Sequence, residues 1–150
     1  MAQISNTHEK LHAVDYQPLT AEQLWTRYQE TRHFSEELSQ RLKTEDYVIQ
    51  SMPDVSPTKW HLAHTSWVFE TFILGAANIG YQSPEPLYAY LFNSYYISAG
   101  ERFNRPERGL LSRPTVKEVY TYRSFVDKAM EKFIKQLDQR GLKKWSSLIE

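Results

Sequence analysis

One stretch of the chain, residues 56–70, reads SPTKWHLAHTSWVFE and predicts a helix that carries chemistry on one face. Its opening Ser-Pro pair is typical of a helix start, because the hydroxyl caps free N–H groups and proline lacks the N–H that would stay unsatisfied. At about 100° per residue, Trp60, His64 and Trp67 share a core-facing side. An imidazole there stays neutral, and either forms a local hydrogen bond or coordinates a metal. Both interpretations of His64 remain open on the residues alone.

Three ordered blocks give the chain a resemblance to one enzyme family. They are QSMPDVSPTKWHLAHT at residues 50–65, LFNSYY at residues 91–96 and RPERGLLSRPT at residues 105–115. Together they resemble the N-terminal signature of the hercynine oxygenases (EgtB), the non-haem iron enzymes of ergothioneine biosynthesis. Compositional bias does not produce three such blocks in this order, so the match is specific. The resemblance covers the DinB-like helical domain with which these enzymes begin.

The resemblance implies an iron(II) site and a thiol site in the complete enzyme. Such enzymes use O₂ to join the sulfur of cysteine or γ-glutamylcysteine to hercynine, which yields a sulfoxide. Three imidazoles hold the iron, and the match identifies His64 as one of them, whereas His61 occupies a variable position and is a neighbour. Two arginines that bind carboxylates of the thiol match Arg105 and Arg108. A C-terminal sulfatase-modifying-factor-like domain supplies much of the substrate pocket in that family.

The ligand set that the resemblance implies is incomplete in this sequence. The other two imidazoles of the family come from a His-x-x-x-His pair on the fourth helix, and no such pair follows His64. We therefore expect either a fragment that ends just before that pair or a free-standing remnant that lost it. His8 and His12 have i, i+4 spacing but lie in a segment without a helical pattern, and His33 lies on the first predicted helix. Since one imidazole cannot hold an ion, the chain alone is expected to be inactive.

Composition excludes several kinds of partner. Among 150 residues, 18 Lys and Arg balance 18 Asp and Glu, so no net field attracts nucleic acid or an anionic membrane. The chain has no cysteine, which leaves His, Asp and Glu as metal ligands. It shows neither the apolar run of a signal peptide nor a stretch long enough to span a membrane. The sequence therefore predicts a soluble, cytoplasmic protein.

Helical periodicity predicts an all-α four-helix bundle with a long structured crossover and a fourth helix that is largely missing, and the resemblance implies that this bundle is DinB-like. Residues 1–18 are expected to form a loosely ordered lead-in, and residues 19–150 the helical domain. The predicted helices are 20–42 and 115–140, each opened by a capping box, then 57–75, a short helix over 87–98 inside the crossover, and one turn of a fourth helix near Trp145 and Leu148. The apolar stripe predicted for the first helix consists of Leu24, Tyr28, Thr31, Ser35, Leu38 and Leu42.

Several alternatives stay open at this stage. The arginines of residues 102–113 could form a solvated basic loop instead of a carboxylate site. Glu70 fits an ordinary surface carboxylate better than a group that supports the site. The function could instead be that of a zinc-based thiol transferase of the DinB-like superfamily. It could also be that of a non-catalytic helical module, which would pair with another chain or form a homodimer through the groove that a missing fourth helix would leave.

Overall fold

The computed structural model describes residues 19–93 and 96–150, and all regular structure within these ranges is helical. The α-helices are α1 (Ala21–Ser39), α2 (Thr58–Phe69), α3 (Tyr88–Leu91), α4 (Val116–Lys135) and α5 (Gln139–Ile149). A π-helical segment, Glu70–Gly75, continues α2 and is called the π-turn below. Short 3₁₀ turns lie at Asp46–Val48 and Ile97–Ala99, and a longer 3₁₀ segment of six residues lies at Arg105–Leu110. The predicted lead-in, with His8 and His12, lies outside the described residues.

The four longer helices form the bundle. α4 packs along α2 and α1, while α5 packs against α1 and the π-turn. The largest fully buried apolar side chains come from α1, α2, the π-turn, the crossover and α4, and they are Leu24, Trp67, Ile73, Leu74, Phe92, Val119, Val126, Met130 and Ile134. The prediction of an all-α four-helix arrangement is confirmed. None of the described helices combines the length and the apolarity that crossing a membrane requires.

Both predicted capping boxes are present. The side chain of Thr20 accepts a hydrogen bond from the backbone N–H of Gln23, and the side chain of Gln23 accepts one from the backbone N–H of Thr20. Thr115 and Glu118 form the same pair of hydrogen bonds at the start of α4. The predicted stripe of the first helix is wrong at Thr31, which is exposed, and at Leu38, which is 69% exposed, whereas Leu42 packs against the core beyond the end of α1. In the second half of α1 the buried face carries Arg32 and Ser39 instead, since α1 packs against polar partners on α2 and α4.

The prediction of a fourth helix limited to one turn is wrong. α5 begins at Gln139 and contains Gly141, the residue before which the preceding helix was expected to end. The reason is a local cap, in which Oδ1 of Asp138 accepts from the Gly141 amide at 2.7 Å. The helix fills the expected groove along its eleven residues, with Trp145 packed edge-on against Phe133 at 5.7 Å between ring centroids.

The crossover between the π-turn and α4 is structured, as predicted, but it is less helical. Instead of one helix within 87–98, it contains α3 and the separate turn Ile97–Ala99. The fully buried Asn93 accounts for the break, because its side-chain amide donates to the backbone carbonyls of Tyr96, Gly100 and Glu101 at 3.1–3.2 Å. Gly100 adopts a φ of 106°, which favours glycine.

The prediction that Glu70 is a surface carboxylate is also wrong. Glu70 is the first residue of the π-turn, and it is only 7% exposed. Oε1 accepts from the Tyr81 hydroxyl at 2.6 Å, and Oε2 accepts from the Tyr122 hydroxyl at 2.5 Å. Burial, followed by the hydrogen bond and charge of Glu70, raises the pKa of both phenols, which therefore remain protonated donors. Glu70 thus joins the start of the crossover to α4.

We expect replacement of Glu70 by leucine to lower the free energy of unfolding by about 2–4 kcal/mol, because two tyrosine hydroxyls lose their acceptor. Urea denaturation followed by circular dichroism measures the change. Glu30→Leu, on the exposed side of α1, is the matched control and should change stability by about 0.5 kcal/mol or less. Equal effects of the two substitutions would contradict a structural role for the buried carboxylate.

Candidate functional site

The imidazole of His64 points from α2 to the C-terminal end of α3. Its Nδ1 lies 2.7 Å from the backbone oxygen of Phe92. Because a carbonyl oxygen can only accept, Nδ1 carries the proton and Nε2 keeps its lone pair. One turn earlier on α2, Nε1 of Trp60 donates to the backbone oxygen of Leu91 at 2.9 Å. Two carbonyls that the end of α3 leaves without helical partners are thereby satisfied by α2.

The surroundings of His64 favour the neutral imidazole. The residue is half-buried, and this burial is the main cause that lowers its pKa below the usual value of about 6.5. The hydrogen bond to Phe92 acts in the opposite direction, and the charges of Arg108 and His61 lower the pKa further. A neutral ring with a fixed Nδ1–H and an Nε2 lone pair is the form in which histidine binds metals.

An aromatic stack fixes the plane of this imidazole. The ring of His64 lies 4.6 Å from that of Trp60 with an interplanar angle of 13°, and 5.4 Å from that of Trp67 with an angle of 21°. Both indoles are buried, at 3% and 0% exposure. The predicted common face of the three side chains is therefore confirmed. Because both neighbours are rigid and enclosed, the imidazole has little freedom to rotate.

The two arginines singled out by the sequence lie on the segment Arg105–Leu110, called the arginine loop below. Arg108 is 3% exposed, and its Cζ lies 3.5 Å from the ring centroid of Trp60. Burial, with a smaller contribution from Arg105, lowers the pKa of Arg108 to about 10, so its guanidinium stays charged at neutral pH. The alternative of a solvated loop is wrong for this residue. By contrast, Arg102 and Arg113 are exposed.

Both loop arginines are attached to the segment that precedes α2. Nη1 of Arg108 donates to Oγ of Ser56 at 2.7 Å, and Nη2 of Arg105 donates to the backbone oxygen of Asp54. The predicted capping role of Ser56 is wrong, because Pro57 occupies the N-cap position of α2 and the serine hydroxyl bonds to the arginine instead. The structure thus places the arginine loop against the start of the helix that carries His64.

The remaining histidines take other positions. His61 lies on the exposed side of α2, edge-on to Trp60 at 5.8 Å between ring centroids. Partial desolvation of its ring, followed by the charges of Arg108 and Arg105, lowers its pKa. His33 pairs with Glu37 on the exposed side of α1. In the part of the chain that the structure describes, no three His, Asp or Glu side chains form a group that could hold a metal.

Two buried arginines support the α2 turn of His64. Arg123 of α4 donates to Oγ1 of Thr65 at 3.1 Å, and Arg32 of α1 donates to the same oxygen at 3.1 Å. Their charges are balanced by Asp127, 2.8 Å from Arg32, and by Glu36, 3.2 Å from Arg123. Since removing one partner of a buried ion pair is costly, this network holds the turn firmly.

Sequence reasoning missed these two arginines, although a signal for them exists. Arg32 follows Tyr28 by four residues, and Arg123 follows Val119 by four and precedes Val126 by three. This spacing places both arginines on the buried stripes of their helices. Arginine is rarely buried without a carboxylate partner, however, and the partners become visible only once the helices are packed.

A family model, described as the DinB superfamily, matches residues 27–144. The match extends over α2, the π-turn, the crossover and α4. The chain belongs to the DinB superfamily. Domains of this superfamily in general bind metal, and His64, Arg105 and Arg108 all lie within the matched range. A comparison with curated proteins gave no match.

For this DinB-superfamily domain, we expect nitrogen NMR of labelled histidines at pH 7 to show His64 protonated at Nδ1 alone, with a pKa below about 6.5. The unfolded chain takes up the proton at the ordinary pKa, so the unfolding free energy decreases as the pH falls below that value. His64→Gln should remove this part of the pH dependence, whereas His33→Gln, on the exposed side of α1, serves as the control. An Nε2–H tautomer would contradict the assignment.

Proposed function

We propose that this chain is the N-terminal domain of a non-haem iron(II) oxygenase, which joins a thiol to hercynine with O₂ and forms a sulfoxide. The thiol is cysteine or γ-glutamylcysteine. One observation carries the proposal: the side chain of Trp60 contacts both the neutral imidazole of His64 and the buried guanidinium of Arg108. These groups lie in the first and third sequence blocks that resemble the hercynine oxygenases.

The chemistry of His64 fits one position of an iron site. Its Nε2 lone pair is available because Nδ1 donates to Phe92. One imidazole is too few to hold the ion, and α5, the fourth helix of the bundle, carries no histidine in Gln139–Ile149. The proposal therefore requires the two imidazoles of the family's His-x-x-x-His pair to come from outside the 150 residues of this chain. When bound, iron(II) supplies open coordination positions for the thiolate and O₂. The stack on Trp60 and Trp67 orients the imidazole, and the bundle excludes water behind it.

The arginine loop supplies the thiol-binding half of the proposal. A guanidinium presents a planar pair of N–H donors that matches a carboxylate, and Arg105 and Arg108 offer two such groups three residues apart. Because Arg108 is buried, its attraction for an anion is screened less than that of a surface arginine. A carboxylate held here would restrict the rest of the thiol to the side of α2 that carries Trp60 and His64, which would lower the entropic cost of orienting its sulfur.

The direct test is an assay of the full-length protein that the gene encodes. It is incubated with iron(II), hercynine and each thiol, and the sulfoxide product is followed by mass spectrometry with and without O₂. Product that requires iron and O₂ supports the proposal. Zinc-dependent transfer of the thiol to an electrophile without O₂ would favour the thiol transferase. A metal-free chain that only pairs with itself or another chain would favour the non-catalytic module.

We expect Arg105→Ala and Arg108→Ala each to raise KM for the thiol by about 10- to 150-fold, the loss of a charge-assisted pair worth about 1.5–3 kcal/mol. KM for hercynine should change little, and Arg105→Lys should restore only part of the affinity, because an ammonium lacks the planar donor pair. Steady-state kinetics of the full-length enzyme measure both constants.

The exposed Arg102 provides the matched control, since Arg102→Ala removes a charge from the same region without touching the arginine loop. It should leave both KM values near those of the unmodified enzyme. Equal losses toward thiol and hercynine in the Arg105 and Arg108 variants would reassign the loop to folding or to a domain interface.

A further inference from the structure

The side-chain amide of Gln50 connects residues 50–55 to the arginine loop. Its Nε2 donates to the backbone oxygen of Val55 at 2.8 Å and to that of Arg105 at 2.9 Å. Its Oε1 accepts from the backbone N–H of Gly109 at 2.6 Å. Both ends of the amide are therefore used, and they hold the first and last turns of the arginine loop against residues 50–55.

The close approach of Gln50 explains the glycine in the arginine loop. A Cβ atom at Gly109 would lie 2.8 Å from Cβ of Gln50 and 3.1 Å from its Oε1. The first of these distances is too short for two carbon atoms, so any larger residue would push the loop and the glutamine apart. A side chain at position 109 would therefore also lengthen the hydrogen bonds between Gln50 and the arginine loop.

The contacts of the two loop arginines depend on how the arginine loop is placed against residues 50–60. Arg105 reaches the backbone oxygen of Asp54, and Arg108 reaches Oγ of Ser56 and the face of Trp60. Each contact brings a guanidinium to a position that residues 50–60 determine. If the backbone of the loop shifted by an ångström, both guanidinium groups would move relative to the helix that carries the candidate metal ligand.

We propose that Gln50 is a positioning residue for the thiol carboxylate. It holds the arginine loop, with the two arginines assigned to the thiol, against residues 50–55, and it acts through the loop without touching the substrate. This inference rests on the proposed function, in which these arginines bind the thiol. Its physical basis is preorganisation, because a loop that must be ordered when the ligand binds spends part of the binding energy on that ordering.

The first experiment tests the loop without any substrate. Gln50→Met keeps the length of the side chain and removes its hydrogen bonds to both segments, while Gln29→Met on the exposed side of α1 serves as the control. Hydrogen–deuterium exchange should accelerate by about tenfold or more at residues 105–111, while α4 keeps its protection. Gln50→Glu retains the acceptor for the Gly109 N–H and should give an intermediate rate. Unchanged exchange in Gln50→Met would overturn the inference.

The second experiment tests the consequence for the thiol in the full-length enzyme. Gln50→Met should raise KM for the thiol about tenfold, with kcat and KM for hercynine unchanged. Gly109→Ala disturbs the same contacts from the side of the loop. It should likewise raise KM for the thiol and leave kcat and KM for hercynine unchanged. Faster exchange without a change in KM for the thiol, or equal losses toward both substrates, would overturn the positioning role.

The two experiments separate this inference from the proposed function. If the unmodified enzyme shows no thiol-dependent turnover with hercynine, the proposed function fails. Exchange then decides on its own whether Gln50 holds the arginine loop. If turnover is present and the exchange of residues 105–111 does not respond to Gln50→Met, the proposed function stands and the inference about Gln50 fails.

Discussion

The hydrogen bond from Nδ1 of His64 to the Phe92 carbonyl is the contact on which the rest of the site depends. It sets the tautomer, so that the remaining lone pair lies on Nε2, and it joins α2 to the crossover at the end of α3. Trp60 repeats the connection one turn earlier and also lies against Arg108. The imidazole that we propose as a metal ligand and the guanidinium that we propose as an anion-binding group are thus set relative to one another by a single enclosed indole.

The opposite side of α2 is held by charges instead of rings. Arg32 and Arg123 converge on the turn that carries the imidazole, and each is neutralised by a carboxylate of a neighbouring helix. Farther along, Glu70 accepts from two tyrosines where α2 becomes the π-turn. Such buried polar contacts stabilise little on their own, but they penalise every arrangement in which a partner is missing. They therefore favour one position of α2 within the bundle.

The sequence predicted the features that depend on neighbouring residues. The capping boxes at Thr20 and Thr115 and the common face of Trp60 and His64 follow from helical spacing alone. The misses share another cause. Glu70 and Arg123 are charged residue types that usually lie at the surface. Their burial becomes favourable through partners such as Tyr122, 52 residues from Glu70, and Glu36, 87 residues from Arg123. The candidate site could be proposed from its motifs, whereas the buried contacts that support it became visible only in the packed helices.

The most direct measurement is an anaerobic crystal structure of the full-length protein with iron(II) and γ-glutamylcysteine. The account predicts Nε2 of His64 at about 2.0–2.2 Å from the metal, with Nδ1 still bonded to the Phe92 carbonyl. It also predicts a carboxylate of the thiol on the guanidinium groups of Arg105 and Arg108. A metal bound without His64, or a thiol whose carboxylates lie away from the arginine loop, would contradict the account.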